Sequence, residues 1–259
     1  MASLADSTIA TLRSTHDELA GVLRGLSDDQ LTQGSGAAEW SVAQVLSHLG
    51  SGGEISLLTL RAALAGAPLE DSNQQVWDRW NAMGPREQAD GFLANDEELV
   101  VALEALSPDQ RQSLTVDVGF LPEPMPLTGF AGMRLSEAAQ HSWDVRVAFA
   151  PDATLSHADV LGEHLSSDLS FLVGFIGKAD TLSEPTVVAF EGSPLGLVIT
   201  DTVSLVDTLP EESTATFHGM PEAALRLITG RLTPPHTPAD VSVSGNVTLE
   251  DLRRVFPGY

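Results

Sequence analysis

The stretch Glu39-Trp40-Ser41-Val42-Ala43-Gln44-Val45-Leu46-Ser47-His48-Leu49 decides how this chain folds. Ser41 followed three residues later by Gln44 has the form of a capping box, in which each side chain satisfies a backbone N–H at a helix start. Val42, Val45, Leu46 and Leu49 then recur at spacings of three and four, so they make one buried face. His48 sits among them and is carried toward the interior of whatever this helix packs against. A second stretch, Glu137-Ala138-Ala139-Gln140-His141-Ser142-Trp143-Asp144, lies in a helix expected over 133–149. Glu137 and His141, four residues apart, project from the same side of it.

Working outward, the first half reads as helical throughout. Ile9, Leu12, Leu19, Val22, Leu23 and Leu26 draw an apolar stripe along a first helix that ends near Gly25. A Gly-rich loop with Gly34 and Gly36 leads to the capping box. A helical stretch over 55–64 continues the second helix if the glycines at 50, 52 and 53 do not interrupt it, and another helix runs from about Pro85 to Leu106. Residues 121–130 carry three prolines and read as a loop. Amphipathic helices with no strand between them predict an up-and-down four-helix bundle, a scaffold whose facing helices commonly build internal sites.

The rest of the chain changes period. One helix over 157–176 is followed by β-type runs at 186–190, 195–200 and 203–207, broken at Gly192 to Pro194, which suggests a meander. A strand over 215–219, a helix over 221–229 that opens on proline, a strand over 240–244 and a helix over 249–256 complete a small α+β domain. The fold class is therefore α+β in two domains, 1–152 and 153–259.

Taken singly, a histidine in an amphipathic helix is most often a hydrogen-bonded core or boundary residue, and a Glu/His pair at i, i+4 is commonly a solvated face. The setting favours a site. His48, Glu137 and His141 all lie among apolar neighbours, where each would cost roughly 2 kcal/mol or more if buried without a partner. A divalent cation would offset that cost, and three protein ligands leave a tetrahedral ion one open position for water, a thiol or substrate. Asp144, three residues beyond His141, suits a hydrogen bond to a ligating imidazole, with an ion pair to Arg146 or Arg134 as the alternative.

These residues carry a resemblance. Residues 39–49 resemble the Trp-to-His-Leu helix of DinB-like bundles, and residues 137–144 resemble their Glu-x-x-x-His-x-x-Asp helix. Leu227-Ile228-Thr229-Gly230-Arg231 and Val241-Ser242-Val243-Ser244-Gly245 are similar to the small second domain of the mycothiol-dependent maleylpyruvate isomerase family. The resemblance implies a DinB-like metal-binding bundle followed by a C-terminal domain of that family's type. It also implies a divalent metal, usually zinc, on His48, Glu137 and His141, and a catalytic arginine, matched here by Arg231. A surface or helix-end arginine is the competing reading of Arg231.

Composition bounds the rest. The 259 residues hold 36 Asp plus Glu against 13 Lys plus Arg, a formal net charge of -23 that repels phosphate backbones and anionic lipid surfaces. Neither nucleic acid nor membrane is expected as a partner, and no apolar run reaches the roughly 20 residues of a transmembrane helix. The N-terminal stretch has no basic cluster ahead of an apolar core, so a cytoplasmic location is expected. Lys178 is the single lysine, which leaves ligand contacts by cations to arginine. With no cysteine, any thiol chemistry uses an external thiol. Phosphate-cradling, nucleophile-elbow and dinucleotide motifs are all missing.

The expected function is a divalent-metal-dependent enzyme that uses a low-molecular-weight thiol, mycothiol by the resemblance, on a small electrophilic substrate, as isomerase or S-transferase. The site is expected between the domains, and the chain is expected as monomer or homodimer. A hydrolase with metal-activated water, using Glu54 or Asp144 as base, and a non-catalytic binding protein for a small ligand are the alternatives. His16 lies on the expected polar side of helix one, within reach of the bundle site. None of His16, His157, His164, His218 and His236 receives a role.

Overall fold

The computed structural model describes residues 3–69, 71–209 and 212–258. The chain forms two compact units, Met1–Ala150 and Pro151–Tyr259, and the whole is α+β.

In the first unit the chain runs α1 (Leu4–Leu23), α2 (Asp28–Thr32), α3 (Val42–Ala65), α4 (Asn73–Asn81), α5 (Pro85–Glu104), α6 (Pro108–Ser113), the short strands β1 (Thr115–Val116) and β2 (Met125–Pro126), and α7 (Leu127–Val147). Serine opens five of these helices, at Ser3, Ser27, Ser41, Ser72 and Ser107, each in a reciprocal pair with the Asp or Gln three residues on. Each cap contributes about 1 kcal/mol and sets where its helix begins. For α3 this decides which turn carries His48.

The four long helices make the bundle. α1 packs on α5 and α7, and α3 packs on the same two, so α1 and α3 face each other across the interior. Leu12, Leu19, Leu46, Leu49, Leu99, Leu103, Leu135 and Trp143 are almost wholly buried between them. At about 1.5–3 kcal/mol per large apolar side chain, their burial is the main force holding the helices together.

One continuation that the sequence left open is realised, and one helix start differs from the expectation. α3 runs unbroken through its glycines, because their missing side chains make room for neighbours. A Cβ on Gly50 would lie 2.0 Å from the Trp80 ring, and one on Gly53 would lie 3.2 Å from the Arg134 guanidinium. α7 starts at Leu127, six residues earlier than expected and inside the stretch read as loop. Pro126 occupies its N-cap, where no intrahelical N–H is needed, and the preceding prolines flank the two-residue ladder of β1 and β2.

The second unit contains α8 (Ala158–Ser166), α9 (Ser170–Ile176), β3 (Thr186–Phe190), β4 (Gly196–Ile199), β5 (Val203–Val206), β6 (Ala215–His218), α10 (Pro221–Ile228), β7 (Ser242–Gly245) and α11 (Leu249–Val255). The single helix expected over 157–176 is two, broken where Ser167 leaves helical geometry at φ -127°, ψ -103°. The sheet order is β5-β4-β3-β6-β7; β3 to β5 form the antiparallel meander, β6 lies parallel to β3, and β7 is antiparallel to β6. Val188, Phe190, Leu197, Ile199, Leu205 and Phe217 supply its buried face by strict alternation. α10 is anchored by a buried pair, Glu222 with Arg226, whose outer atoms bond the Leu155 N–H and the His236 carbonyl.

The close approach at Gly50 predicts that Gly50→Ala lowers unfolding free energy by about 1–3 kcal/mol, since Trp80 must move. Gly21→Ala, at an exposed α1 position with nothing within 4 Å, should instead raise it by up to about 1 kcal/mol. Urea unfolding of the two variants reads both signs.

Candidate metal centre

The cap at Ser41 and the apolar register of α3 place His48 on the side that meets α7, where Glu137 and His141 stand one turn apart. One ligand atom from each of the three lies within 4.8 Å of the other two. His48 Nε2 is 2.8 Å from Glu137 Oε2, His141 Nε2 is 3.6 Å from the same oxygen, and the two imidazole centroids are 4.7 Å apart. Among the described residues this is the one group of three or more His, Cys, Asp or Glu side chains close enough to share an ion.

The donor set suits a divalent cation of borderline softness. Two imidazole nitrogens and one carboxylate oxygen match a three-ligand zinc site with an open position. His141 Nδ1 is 2.8 Å from Asp144 Oδ2, and the Asp144 side chain is fully buried. With Nδ1–H donating to that carboxylate, the lone pair sits on Nε2, the atom that faces Glu137. Asp144 thus stands behind His141. Arg134 bonds Asp96, and Arg146 donates to Ser142.

Burial alone would push the Glu137 carboxyl up. The His48 hydrogen bond and the charges of His141, His48 and Arg134 outweigh it and hold the carboxyl at about 2, against its ordinary 4.5. Glu137, whose side chain is 46% exposed, is therefore an ionised carboxylate at neutral pH.

Two features around the trio have no strong signal in the sequence. Trp40 covers both imidazoles: its ring centroid is 5.3 Å from that of His48 and 6.0 Å from that of His141, nearly parallel to the latter. The loop carrying Trp40 is fastened to α7 by the Gly36 N–H on the Asp144 carbonyl at 2.8 Å. A Cβ at Gly36 would collide with Val147, Asp144 and Trp143. The glycine thus permits the approach that brings Trp40 over the site.

The second feature is a buried charged layer. Asp96 takes Arg134 Nη2 at 2.7 Å on one oxygen and His16 Nδ1 at 2.8 Å on the other, while His16 Nε2 is 3.1 Å from Glu97. Burial would push Asp96 up; Arg134 and His16 reverse that and hold it below the usual range. His16 is buried, contrary to its expected place on the polar side of α1, and it joins this layer instead of the trio.

The other sequence candidates lie elsewhere. Glu54 is engaged by Arg79 and by Trp80 Nε1, the latter at 2.7 Å. Arg231, in the second unit, follows Gly230 at φ 73°, is half-buried, and donates to the Thr229 carbonyl. A Cβ at Gly230 would meet Gly258 at 2.3 Å, so glycine is required there for both φ and space. His218 bonds Glu191 and Ser244 on the sheet.

The family model of the mycothiol maleylpyruvate isomerase N-terminal domain matches residues 12–146. No curated protein matches the chain. Among solved structures, the mycothiol-dependent maleylpyruvate isomerase aligns over 95% of this chain and 98% of its own, with a TM-score of 0.64 and 16% identity. A histidine-to-alanine mutant of the mycothiol-dependent maleylpyruvate isomerase aligns with the same values. At that identity the likeness is one of fold.

The lowered Glu137 pKa sets a sign. A carboxyl depressed in the folded state contributes stability above its unfolded value near 4.5, and the contribution is lost as pH falls toward about 2. In the metal-free protein, Glu137→Gln should therefore flatten the fall of the urea midpoint between pH 4.5 and 2. An unchanged slope would contradict this.

Proposed function

The chain belongs to the mycothiol maleylpyruvate isomerase N-terminal domain family, and from that premise we propose that it is a divalent-metal-dependent enzyme using a low-molecular-weight thiol as nucleophile. The observation that carries this reading is the convergence of His48, Glu137 and His141 within 4.8 Å. The metal is zinc by its donor set, the thiol is mycothiol by family, and the substrate is a small electrophile. The bundle, 1–152, holds the metal, and the C-terminal domain, 153–259, supplies Arg231.

When bound, the cation supplies Lewis acidity that lowers a thiol pKa from about 8.5 and keeps the sulfur as thiolate near neutral pH. The protein residues do the rest. Asp144 holds His141 in the tautomer that presents Nε2, and Glu137 contributes a negative charge that needs no deprotonation. Trp40 shields the two imidazoles from water on one side, which strengthens the electrostatics between them. Arg231 is assigned to a substrate carboxylate, which its planar fork fits in two hydrogen bonds. The thiolate sulfur forms a bond to an electrophilic carbon. For an isomerase, the adduct rotates about the former double bond and the same C–S bond breaks; for an S-transferase, the adduct takes a proton and leaves as product.

A hydrolytic reading finds less support. It needs a carboxylate base beside the open position, and the two candidates are already engaged: Glu54 by Arg79 and Trp80, Asp144 by His141.

His48→Ala, Glu137→Ala and His141→Ala should each lower zinc retained after dialysis by about tenfold or more, and His218→Ala should not, as elemental analysis of freshly purified protein will read. Equal zinc in all four removes the site. Arg231→Ala should raise KM for a carboxylate-bearing activated alkene, thiol supplied, with metal content unchanged. Unaltered kinetics would reject this arginine.

A further inference from the structure

The solvent face of the sheet in the second unit brings together a serine, a histidine and a carboxylate that the metal reading leaves unused. Phe190 on β3 and Phe217 on β6 are register partners and both are buried in the core, so the next residues, Glu191 and His218, stand on the opposite face. The Glu191 N–H continues the pairing onto the Phe217 carbonyl at 3.0 Å. On the other side of β6, Ser244 of β7 pairs with Thr216, which puts its side chain on that same face, diagonal to His218. Three neighbouring segments thus present their side chains next to one another.

The hydrogen bonds between them run in one order. His218 Nδ1 is 3.2 Å from Glu191 Oε2, and His218 Nε2 is 2.8 Å from Ser244 Oγ. An ionised carboxylate only accepts, so Nδ1–H donates to Glu191. In the neutral imidazole Nε2 then carries the lone pair, and the Ser244 hydroxyl donates to it. Nucleophile to base and base to orienting carboxylate are both within hydrogen-bond reach, the arrangement by which a serine is activated on unrelated folds. The His218 side chain is 33% exposed and Ser244 is exposed, so a small molecule can reach both.

The backbone adds a donor. His218 and Ser244 each precede a glycine at positive φ, Gly219 at 132° and Gly245 at 113°. A Cβ on Gly245 would lie 2.3 Å from the Thr214 carbonyl oxygen, so glycine is required there. β7 is the edge of the sheet, and the Asn246 N–H on the Thr214 carbonyl sets the alternation along it. Ser242 and Ser244 therefore bond toward β6, and the Gly245 N–H, next after the serine, points outward from the edge. A backbone N–H directly after a nucleophile is the kind of donor that stabilises the oxyanion of acyl transfer.

The surroundings select the substrate class. Glu191, 63% exposed, and a net charge of -23 turn away anions. An exposed sheet face supplies little binding energy to strain a stable amide, so the acyl donor that fits is a small uncharged ester whose alcohol leaves readily. We propose that Ser244 is a nucleophile that hydrolyses such esters, with His218 as its base and Glu191 positioning His218, independently of the candidate metal centre. Ser244 Oγ bonds the carbonyl carbon while its proton passes to His218 Nε2; the bond from that carbon to the alkoxide breaks, and the alkoxide takes the proton. Water then bonds the same carbon and gives a proton to Nε2, the bond to Oγ breaks, and Oγ takes the proton back. The products are a carboxylic acid, an alcohol and free Ser244.

The test supplies 4-nitrophenyl acetate to the full chain, zinc-loaded and after dialysis against EDTA, and follows 4-nitrophenolate release and acetyl mass on each serine-containing peptide. Acetylation should be at least about tenfold faster at Ser244 than at any other serine, equally in both metal states. His218→Ala should slow it about tenfold or more, and Ser242→Ala, on the same strand and face, should leave it unchanged. Nitrogen-15 NMR above pH 8 should find the proton of His218 on Nδ1, and Glu191→Ala should move it toward Nε2, which a merely structural contact would not require. Acetyl spread evenly over exposed serines, a Ser244 rate untouched by His218→Ala, or a rate abolished by EDTA overturns the proposal. Because acetylation is read at Ser244 itself, loss of the metal reading leaves this test intact.

Discussion

The contact between His48 on α3 and Glu137 on α7 is the constraint around which the candidate site is organised. Bringing an imidazole to 2.8 Å from a carboxylate across two helices requires both helices to be in register and close. The register of α3 comes from the Ser41 cap, and the closeness from its glycines, which admit Trp80 on one side and Arg134 on the other. On α7, the spacing of Glu137, His141 and Asp144 stacks ligand atoms over a buried hydrogen-bond acceptor. The His48 and Glu137 side chains keep 40% and 46% exposure while His141 keeps 10%, so mutual contact and solvent together satisfy the trio.

Beneath the trio lies a layer that contributes differently. Asp96, Arg134 and His16 bring α5, α7 and α1 together through charge-assisted hydrogen bonds with almost no solvent. A buried ion pair is weak evidence for stability, since desolvation offsets much of its Coulombic gain. Its geometric effect is firmer: it allows one rotation of α7 about its own axis, the one that also presents Glu137 toward α3. Arg134 additionally lends Glu137 positive charge from below.

Sharing a fold at 16% identity is what physical patterning would lead one to expect. The bundle needs apolar faces of the right period and caps at the right places, and many sequences meet those conditions. The convergence of His48, Glu137 and His141 is a narrower demand, because three atoms must meet from two helices. The second unit shows the same division. Its sheet follows from alternation at Val188, Phe190, Leu197 and Ile199, whereas the turn at Gly230 depends on a left-handed φ and on the nearness of Gly258.

From the sequence alone, the periodicity of apolar residues determined the long helices, the change of period marked the second unit, and the apolar setting of His48, Glu137 and His141 singled out the residues that come together. These are local properties, written in intervals of two, three and four residues. The tertiary structure alone decided that α3 passes through its glycines without a break, that α7 begins at Leu127, that His16 turns inward to Asp96, and that Trp40 lies over both imidazoles. Each of these depends on a neighbour distant in the chain, Trp80 for Gly50, Asp96 for His16, Asp144 for Gly36 and its loop. Spacing reports which side chains share a face, but what stands opposite that face is settled only when the helices pack.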